Sequence, residues 1–416
     1  MSAKTYLDSN AGAPLRPLVV EKLLSVFAET RAGSVLLPNP SSIHAHGRQA
    51  KRWIAEAREA VAASLGSGTD PEQVLFTSSG TEANQQAIRS VLEPALSRNG
   101  RATKPHWILT PVEHDSVLQM VSWFQEQGGE VSYLPVDAQG LPHSSELENL
   151  WRPETVLLSV IAVNNETGAI TDLAPLVQTV RARGARIHVD AAQAWGKIPL
   201  DLKALDADLV TFSAHKIGAL AGVGVVWIHS GVRMQALMRG KQEKGRRGGT
   251  ENLLGIISAG AAAALVNPEK WSEEVGPWRD LLQKKVVERI PGTFVNAGLA
   301  PRIAGTLNLN FEGVEGESMV MALDLAGYSV SSGSACASGV VEPSHVLMAM
   351  GRSKSQAMAA IRISLSEALS EQVCEDFVSA LERIVSKIRA SQGIGQEKGR
   401  IRVELGKEPQ VKGHAN

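Results

Sequence analysis

The stretch RIHVDAAQAWGKIPLDLKALDADLVTFSAHKIGALAGVGVVWIHS, residues 186–230, decides the fold. Residues 186–189 alternate as a short strand and end on an acid, Asp190. Residues 206–212 read as a second strand that runs into Ser213-Ala214-His215-Lys216, and a glycine-rich return at 218–224 leads to a third strand at 225–228. An acid thus stands at one strand end and a lysine just past the next. A pyridoxal phosphate site needs such a pair: a lysine to bond the cofactor's aldehyde, and an acid to keep the ring nitrogen protonated so that the ring accepts electrons. A surface lysine and a strand-capping acid give the same letters, so the rest of the chain must decide.

Outward from this stretch, strands and helices alternate. Residues 74–77, 107–110, 130–134 and 155–163 read as strands. Residues 18–27, a run from the Asn39-Pro40-Ser41-Ser42 turn to about Leu65, and residues 82–92, 116–127 and 173–183 read as helices. In the long helix, Ile54, Ala57, Val61 and Leu65 share one face. Near-continuous apolar strands parted by amphipathic helices predict an α/β fold, a mostly parallel sheet sandwiched by helices. Ligands of such sheets lie beyond the carboxyl ends of the strands. That rule gathers residues 77–81, Glu113-His114, Asn164-Asn165, Asp190, Ser213 and Lys216 into one site. After Gly255 the texture changes to an Ala-rich helix (256–266), a long amphipathic one (271–290), sparse strands (305–311, 328–331, 361–365) and a last helix (373–388). The organisation predicted is a large α/β domain at 15–255, a smaller α+β domain from 1–14 and 256–390, and a polar tail at 391–416.

A chain of 416 residues has ample room for a core. Its 44% hydrophobic and 20% charged residues describe a globular protein, and a net charge of −1 offers no basic surface for nucleic acid or an anionic membrane. No apolar run is long enough to span a bilayer, and the start MSAKTYLDSN lacks a signal-peptide core. Cys336 and Cys374 are too few for a disulfide framework, so a reducing, cytoplasmic setting is expected. None of the ten histidines shows HExxH spacing, and no metal site is expected.

Several strand-end loops carry chemistry-bearing residues. Thr77-Ser78-Ser79-Gly80-Thr81-Glu82 joins a strand to a helix through small hydroxyl and glycine residues, which suits a phosphate cradle as well as a plain capped helix start. His114 follows a strand, where its ring can stack on a flat cofactor or simply close a polar cluster. Asn165 ends the long buried strand, within reach of a ring oxygen or a substrate carboxylate, or as part of an ordinary turn. Cys336 lies in a Gly/Ser-rich stretch, residues 331–339, which is poor core material and presents a thiol well as a nucleophile. Cys374 instead sits near Phe377 and Leu381 in an amphipathic helix and reads as buried structure. Residues 240–252 form a basic loop, solvated or touching a phosphate or partner. Arg362 can fork onto a carboxylate.

Taken together these segments resemble the cysteine desulfurases, in the class V branch of fold-type I pyridoxal phosphate enzymes, from about Tyr6 to Ile388. Ten stretches carry the likeness in the family's order: YLDSNAGAP, NPSSIHAHGR, TSSGTEAN, VEHDSV, VNNETG, HVDAAQAWGKIPLD, FSAHK, RRGGTEN, VSSGSACASG with EPSHVL, and IRISL. The resemblance implies Lys216 at the cofactor aldehyde, Asp190 at the pyridine nitrogen, Gln193 at the ring oxygen and His114 on the ring face. It implies phosphate binding by Gly80, Thr81, Ser213 and His215, with Thr250 reaching in from the second subunit of a homodimer. Asn165 and Arg362 would hold the substrate carboxylate and the cofactor edge. Cys336 would take sulfur from L-cysteine as a persulfide, leaving L-alanine, and pass it to an acceptor protein such as an iron–sulfur scaffold or a thiolation enzyme.

Three stretches depart from the family pattern: Gly218-Ala219-Leu220-Ala221 after the lysine, Ala11-Gly12-Ala13-Pro14 near the start, and Gln85 where Asn is usual. All lie near the mouth of the expected site. The competing readings are a selenocysteine lyase or another class V enzyme, and a dimeric scaffold of low activity.

Overall fold

A computed structural model of the chain describes residues 4–29, 37–98, 103–332 and 342–391. Its strands are β1 (Thr5–Tyr6), β2 (Val74–Thr77), β3 (His106–Leu109), β4 (Glu130–Tyr133), β5 (Thr155–Ile161), β6 (Arg186–Asp190) and β7 (Leu209–Ser213). They continue with β8 (Gly224–Ile228), β9 (Thr293–Asn296), β10 (Thr306–Phe311), β11 (Tyr328–Ser329), β12 (Ser331–Ser332) and β13 (Ala360–Ser364).

Seven of these form one sheet in the order β2-β8-β7-β6-β5-β3-β4. Every pairing from β7 to β4 is parallel, and β8 alone runs against both its neighbours. The physical reason is composition: β2, β3, β7 and β8 are buried at every position, so both faces must be covered by helices. The parallel register sets Asp190 beside Thr211 and Ile161, and the antiparallel pairings of β8 set Ser213 and Thr77 both opposite Gly224. Their following loops therefore open on one edge. The long helix, Ala45–Ser64, buries Ile54, Ala57 and Val61 as its spacing predicts. Trp195 packs on Phe212 at 5.4 Å in the same core.

The second sheet, β12-β13-β10-β9, is antiparallel, and β1 pairs in parallel with β11. Leu7, Phe311, Ile361 and Phe377 fill its core, with Cys374 fully buried among them. The helices Pro268–Arg289 and Glu371–Ser391 cover it, joined by Lys285 and Arg289 to Glu375.

Some elements differ from expectation. The strand expected at 206–212 starts only at Leu209. Asp206 sits in the left-handed region (φ 54°), and the Asp208 carboxylate is taken by Ile187 N and by Arg181 and Arg186, which turns this run into a pinned corner. The helix expected at 116–127 is two, Asp115–Leu118 and Met120–Glu126. The run at 328–331 changes partner at Val330, pairing with β1 before it and β13 after it. Helix Gly316–Leu325 and strand β9, absent from the sequence reading, complete the smaller sheet. Residues 333–341, with Cys336, and 392–416 lie outside the described residues.

Candidate active site

Asp190 closes β6 and is buried. One carboxylate oxygen accepts from Ala192 N at 3.0 Å and the other from Asn84 Nδ2 at 2.7 Å. Asn84 rides on the helix Gly80–Arg98, whose second turn faces the strand ends. Because its Nδ2 is committed to Asp190 and to Ser116 Oγ, its Oδ1 must accept, and it does so from Thr211 Oγ1 and His188 Nε2. Burial holds the His188 pKa down to about 4, so the ring is neutral and the network assigns its proton to Nε2. Asp190 receives bonds only from neutral donors here, which leaves its charge for a cation beyond the strand end.

Lys216 lies in a tight turn, Ala214–Ile217, directly after β7. Its amine donates to the backbone carbonyls of Asn10 (2.6 Å) and Ala11 (2.9 Å), which the N-terminal segment lays over the sheet edge. Burial, with Arg362 nearby, lowers its pKa to about 8 against the opposing pull of Asp8 and Asp190. Gln193 Nε2 donates to the same Asn10 carbonyl at 2.9 Å. His215 is held neutral, its pKa lowered to about 4 by burial and by Lys216 and Lys197.

Gly80 begins its helix against Ser213. A methyl group added there would meet Ser213 Cβ at 3.0 Å and Oγ at 3.3 Å, so the close approach of backbone to hydroxyl depends on glycine. First-turn N–H groups of a helix have no intrahelical acceptor, and Gly80, Thr81 and Ser213 together form an anion cradle. His114 caps the next helix by accepting from Ser116 N at 3.1 Å, which leaves its exposed ring face open.

Arg362 on β13 reaches back to the large sheet. It donates to Asp8 Oδ1 (2.7 Å), Ser331 Oγ (3.0 Å) and the Asn165 carbonyl (3.1 Å), while its buried Nε has no partner among the described residues. Asn164 spends its side chain on the turn, accepting from Glu166 N and Thr167 N, so it is the backbone of Asn165 that joins the network. Thr250 is exposed and shares no hydrogen bond with these groups. Its loop is tied down by Arg247, which pairs with Glu82 at 2.9 Å. Beyond the undescribed residues 333–341 the chain is clamped to the site, with Ser344 Oγ on Glu166 (2.5 Å) and His345 Nε2 on the Glu113 carbonyl (2.9 Å).

Comparison with known proteins accounts for this constellation. Residues 5–376 match the family model for aminotransferase class-V. The chain is 38% identical to a cysteine desulfurase of Nostoc sp. over 92% of its own length and 94% of that protein's. It is 37% identical to "Cysteine desulfurase IscS" of Dictyoglomus turgidum, covering 95% and 98% of the two chains. The chain belongs to the cysteine desulfurases of the class-V family. A solved NifS-like protein superposes with a TM-score of 0.83 at 32% identity, over 92% of this chain and 100% of that one.

Members of this family depend on pyridoxal 5'-phosphate, and the residues present fit it. The Gly80–Ser213 cradle suits a phosphate, Asp190 has no cation partner among the described residues at its strand end, and a half-buried primary amine lies between them in the loop order. The two departures from the family pattern near the start and after the lysine touch each other. Gly218, at φ 82°, would bring a side chain within 2.8 Å of Pro14 O, and Arg16 bonds the Ile217 carbonyl at 2.9 Å. Sequence reasoning missed Asn84, Asp8, Asn10 and Lys197, and gathered Glu113 at its strand end without giving it a role. Asn84 and Lys197 carried a signal: polar side chains inside runs that otherwise read as buried.

Proposed function

We propose that this protein converts L-cysteine to L-alanine, taking the sulfur as a persulfide on Cys336 and passing it to an acceptor protein. What carries the reading is one connected polar network. Lys216, Gln193, Asn165 and Arg362 meet through Asn10, and Asp190 is held beside them by Asn84. Bound pyridoxal phosphate supplies an aldehyde for the substrate's amino group and a protonated ring that draws electrons from its α-carbon.

The chain's own residues do the rest. Arg362 orients the substrate carboxylate, with Asp8 steadying the guanidinium at 2.7 Å. Asp190 keeps a proton on the ring nitrogen, Gln193 donates to the ring oxygen, and His114 covers one ring face. Gly80, Thr81, Ser213 and His215 hold the phosphate. Once its amine is free, Lys216 takes the α-proton; its pKa of about 8 leaves a useful fraction neutral near physiological pH. Cys336 then attacks the substrate sulfur as a thiolate. The S–S bond forms, the Cβ–S bond breaks with its electron pair staying on carbon, and Cβ and then the α-carbon each gain a proton to give alanine. Cys336 is five residues past Ser331, which bonds Arg362.

The active unit is a homodimer in which the partner copy's loop supplies Thr250. Supporting this, the exposed Leu15, Leu18 and Leu24 leave an apolar face at the start of the chain. No helix among the described residues is long and apolar enough to cross a membrane, which is compatible with work in the cytoplasm. The acceptor is an iron–sulfur scaffold or a thiolation enzyme.

The test is alanine release from L-cysteine by wild type and Cys336→Ala, with a dithiol present to clear persulfide. Alanine from the wild type alone is expected. Equal release by both proteins overturns the persulfide assignment, and release from neither overturns the substrate.

A further inference from the structure

Lys197 is a lysine where lysines are rarely found: 8% exposed, at the centre of the large core's site edge, and without a carboxylate in ion-pair distance among the described residues. Its ammonium instead faces two amide oxygens. It donates to Asn10 Oδ1 at 3.1 Å and to Gln193 Oε1 in a very short contact. An interior cation of this kind is costly, and replacing it with an apolar side chain of equal size is often stabilising. Its partners are the two residues on which the lysine and ring side of the site turn.

We propose that Lys197 is a positioning residue that fixes the polarity of the Gln193 and Asn10 amides. A primary amide can present either its oxygen or its N–H₂ toward a neighbour at little difference in shape. Lys197 removes that freedom. As an ammonium its nitrogen carries three hydrogens and no lone pair, so Oε1 and Oδ1 must point at it. The N–H₂ groups are then aimed the other way. Asn10 Nδ2 goes to Thr306 Oγ1 (2.9 Å) and the Asn165 carbonyl (3.2 Å), bridging to the smaller sheet. Gln193 Nε2 gives one hydrogen to the Asn10 carbonyl and keeps the second for an acceptor in the site. That same carbonyl is the resting place of the Lys216 amine. Burial and the positive neighbours Lys216 and Arg362 bring the Lys197 pKa down to about 7, so the constraint is fullest below that value and loosens as the amine loses its proton.

This rests on the reading of Gln193 as the donor to the cofactor ring oxygen, and the experiment separates the two. The holoenzymes of Lys197→Met, Gln193→Ala and the double variant are compared with wild type by the pH midpoint of the bound cofactor's visible absorption band and by the dissociation constant for pyridoxal phosphate. Both single variants are expected to shift the midpoint in the same direction and weaken cofactor binding by about tenfold, with the double variant no worse than either, because the two residues act as one unit. Lys197→Gln, which keeps an N–H donor at the position, is expected to recover part of the shift and guards against a Met variant that does not fold. The melting temperature of the cofactor-free Lys197→Met protein should stay at or above wild type, which a purely structural role would not allow. If Gln193→Ala moves the band and Lys197→Met does not, the proposal fails alone. If Lys197→Met moves it and Gln193→Ala is silent, the route through Gln193 and the ring-oxygen reading fail together. Fully additive shifts would also overturn the coupling.

Discussion

Glu113 offers a quantitative test of how this site is built. It follows β3, is completely buried, and accepts on one carboxyl oxygen from Thr110 Oγ1 (2.5 Å) and Ile161 N (2.8 Å), while the other oxygen has no partner among the described residues. Burial raises its pKa from 4.5 to about 8, with the Asp190 charge adding to the rise against the Thr110 and Ile161 bonds. The folded protein therefore holds one more proton than the unfolded chain between about pH 4.5 and pH 8, and stability falls as pH rises across that window. A rise of this size corresponds to about 5 kcal/mol over the whole window, at 1.36 kcal/mol for each pH step. Glu113→Gln keeps the accepting oxygen, has nearly the same shape and never ionises. The cost of leaving its new N–H₂ without a partner is about 1–3 kcal/mol. Urea denaturation of the cofactor-free protein at pH 5 and pH 8 measures the balance. The variant is expected to be no more stable than wild type at pH 5 and more stable by about 2 kcal/mol or more at pH 8, with a flatter pH dependence. A variant that keeps the wild-type slope between these values would show that Glu113 does not carry the extra proton.

Two further outcomes follow from the site geometry. The Lys216 amine, with its pKa lowered to about 8, is neutral in growing proportion as pH rises through that value, and only the neutral amine bonds an aldehyde. The rate of pyridoxal phosphate capture by cofactor-free protein, followed by stopped-flow absorbance, should rise with a midpoint near 8; a midpoint at 10 or above would contradict the buried placement. Gly80→Ala sets a methyl 3.0 Å from Ser213 Cβ, and is expected to weaken cofactor binding about tenfold or more while changing the urea stability of the cofactor-free chain by only about 1 kcal/mol. Unchanged cofactor affinity would remove the phosphate from that cradle.

The fold class was legible because burial on both faces leaves a mark on composition. Strands β2, β5 and β7 are nearly unbroken apolar runs, and the helices between them keep a 3.6-residue stripe. The placement of Asp190 at a strand end and of Lys216 just past the next was legible because the strands themselves were. What stayed hidden was whatever depends on pairing across long sequence distances. Asp8 and Arg362 form an ion pair 354 residues apart, and nothing local in either segment marks it. The corner at Asp206 hid for a different reason: its φ is left-handed and the Asp208 carboxylate is consumed by two arginines, while the letters alternate as a strand would. Strand β9 is short and half exposed, so its apolar signal is weak.

The first residues of the chain matter more than their composition suggests. Ser9 N bonds Ser364 O, and Asp8 holds Arg362, so this segment is anchored on the smaller sheet. A few residues on, Ala13 N bonds the His215 carbonyl and Arg16 bonds those of Ile217 and Leu265, which anchors it on the lysine turn. Asn10 stands between the two anchors and touches Lys197, Gln193 and Lys216. The site is thus closed by a strap whose ends bind elements more than 200 residues away, and it cannot form until strands from both ends of the chain have come together. Contacts of such separation are slow to form because the entropy of closing the intervening loop is lost before the contacts repay it. The lysine turn and Arg362 are consequently set by one segment, and the two stretches that depart from the family pattern meet within its contact surface, where Gly218 approaches Pro14.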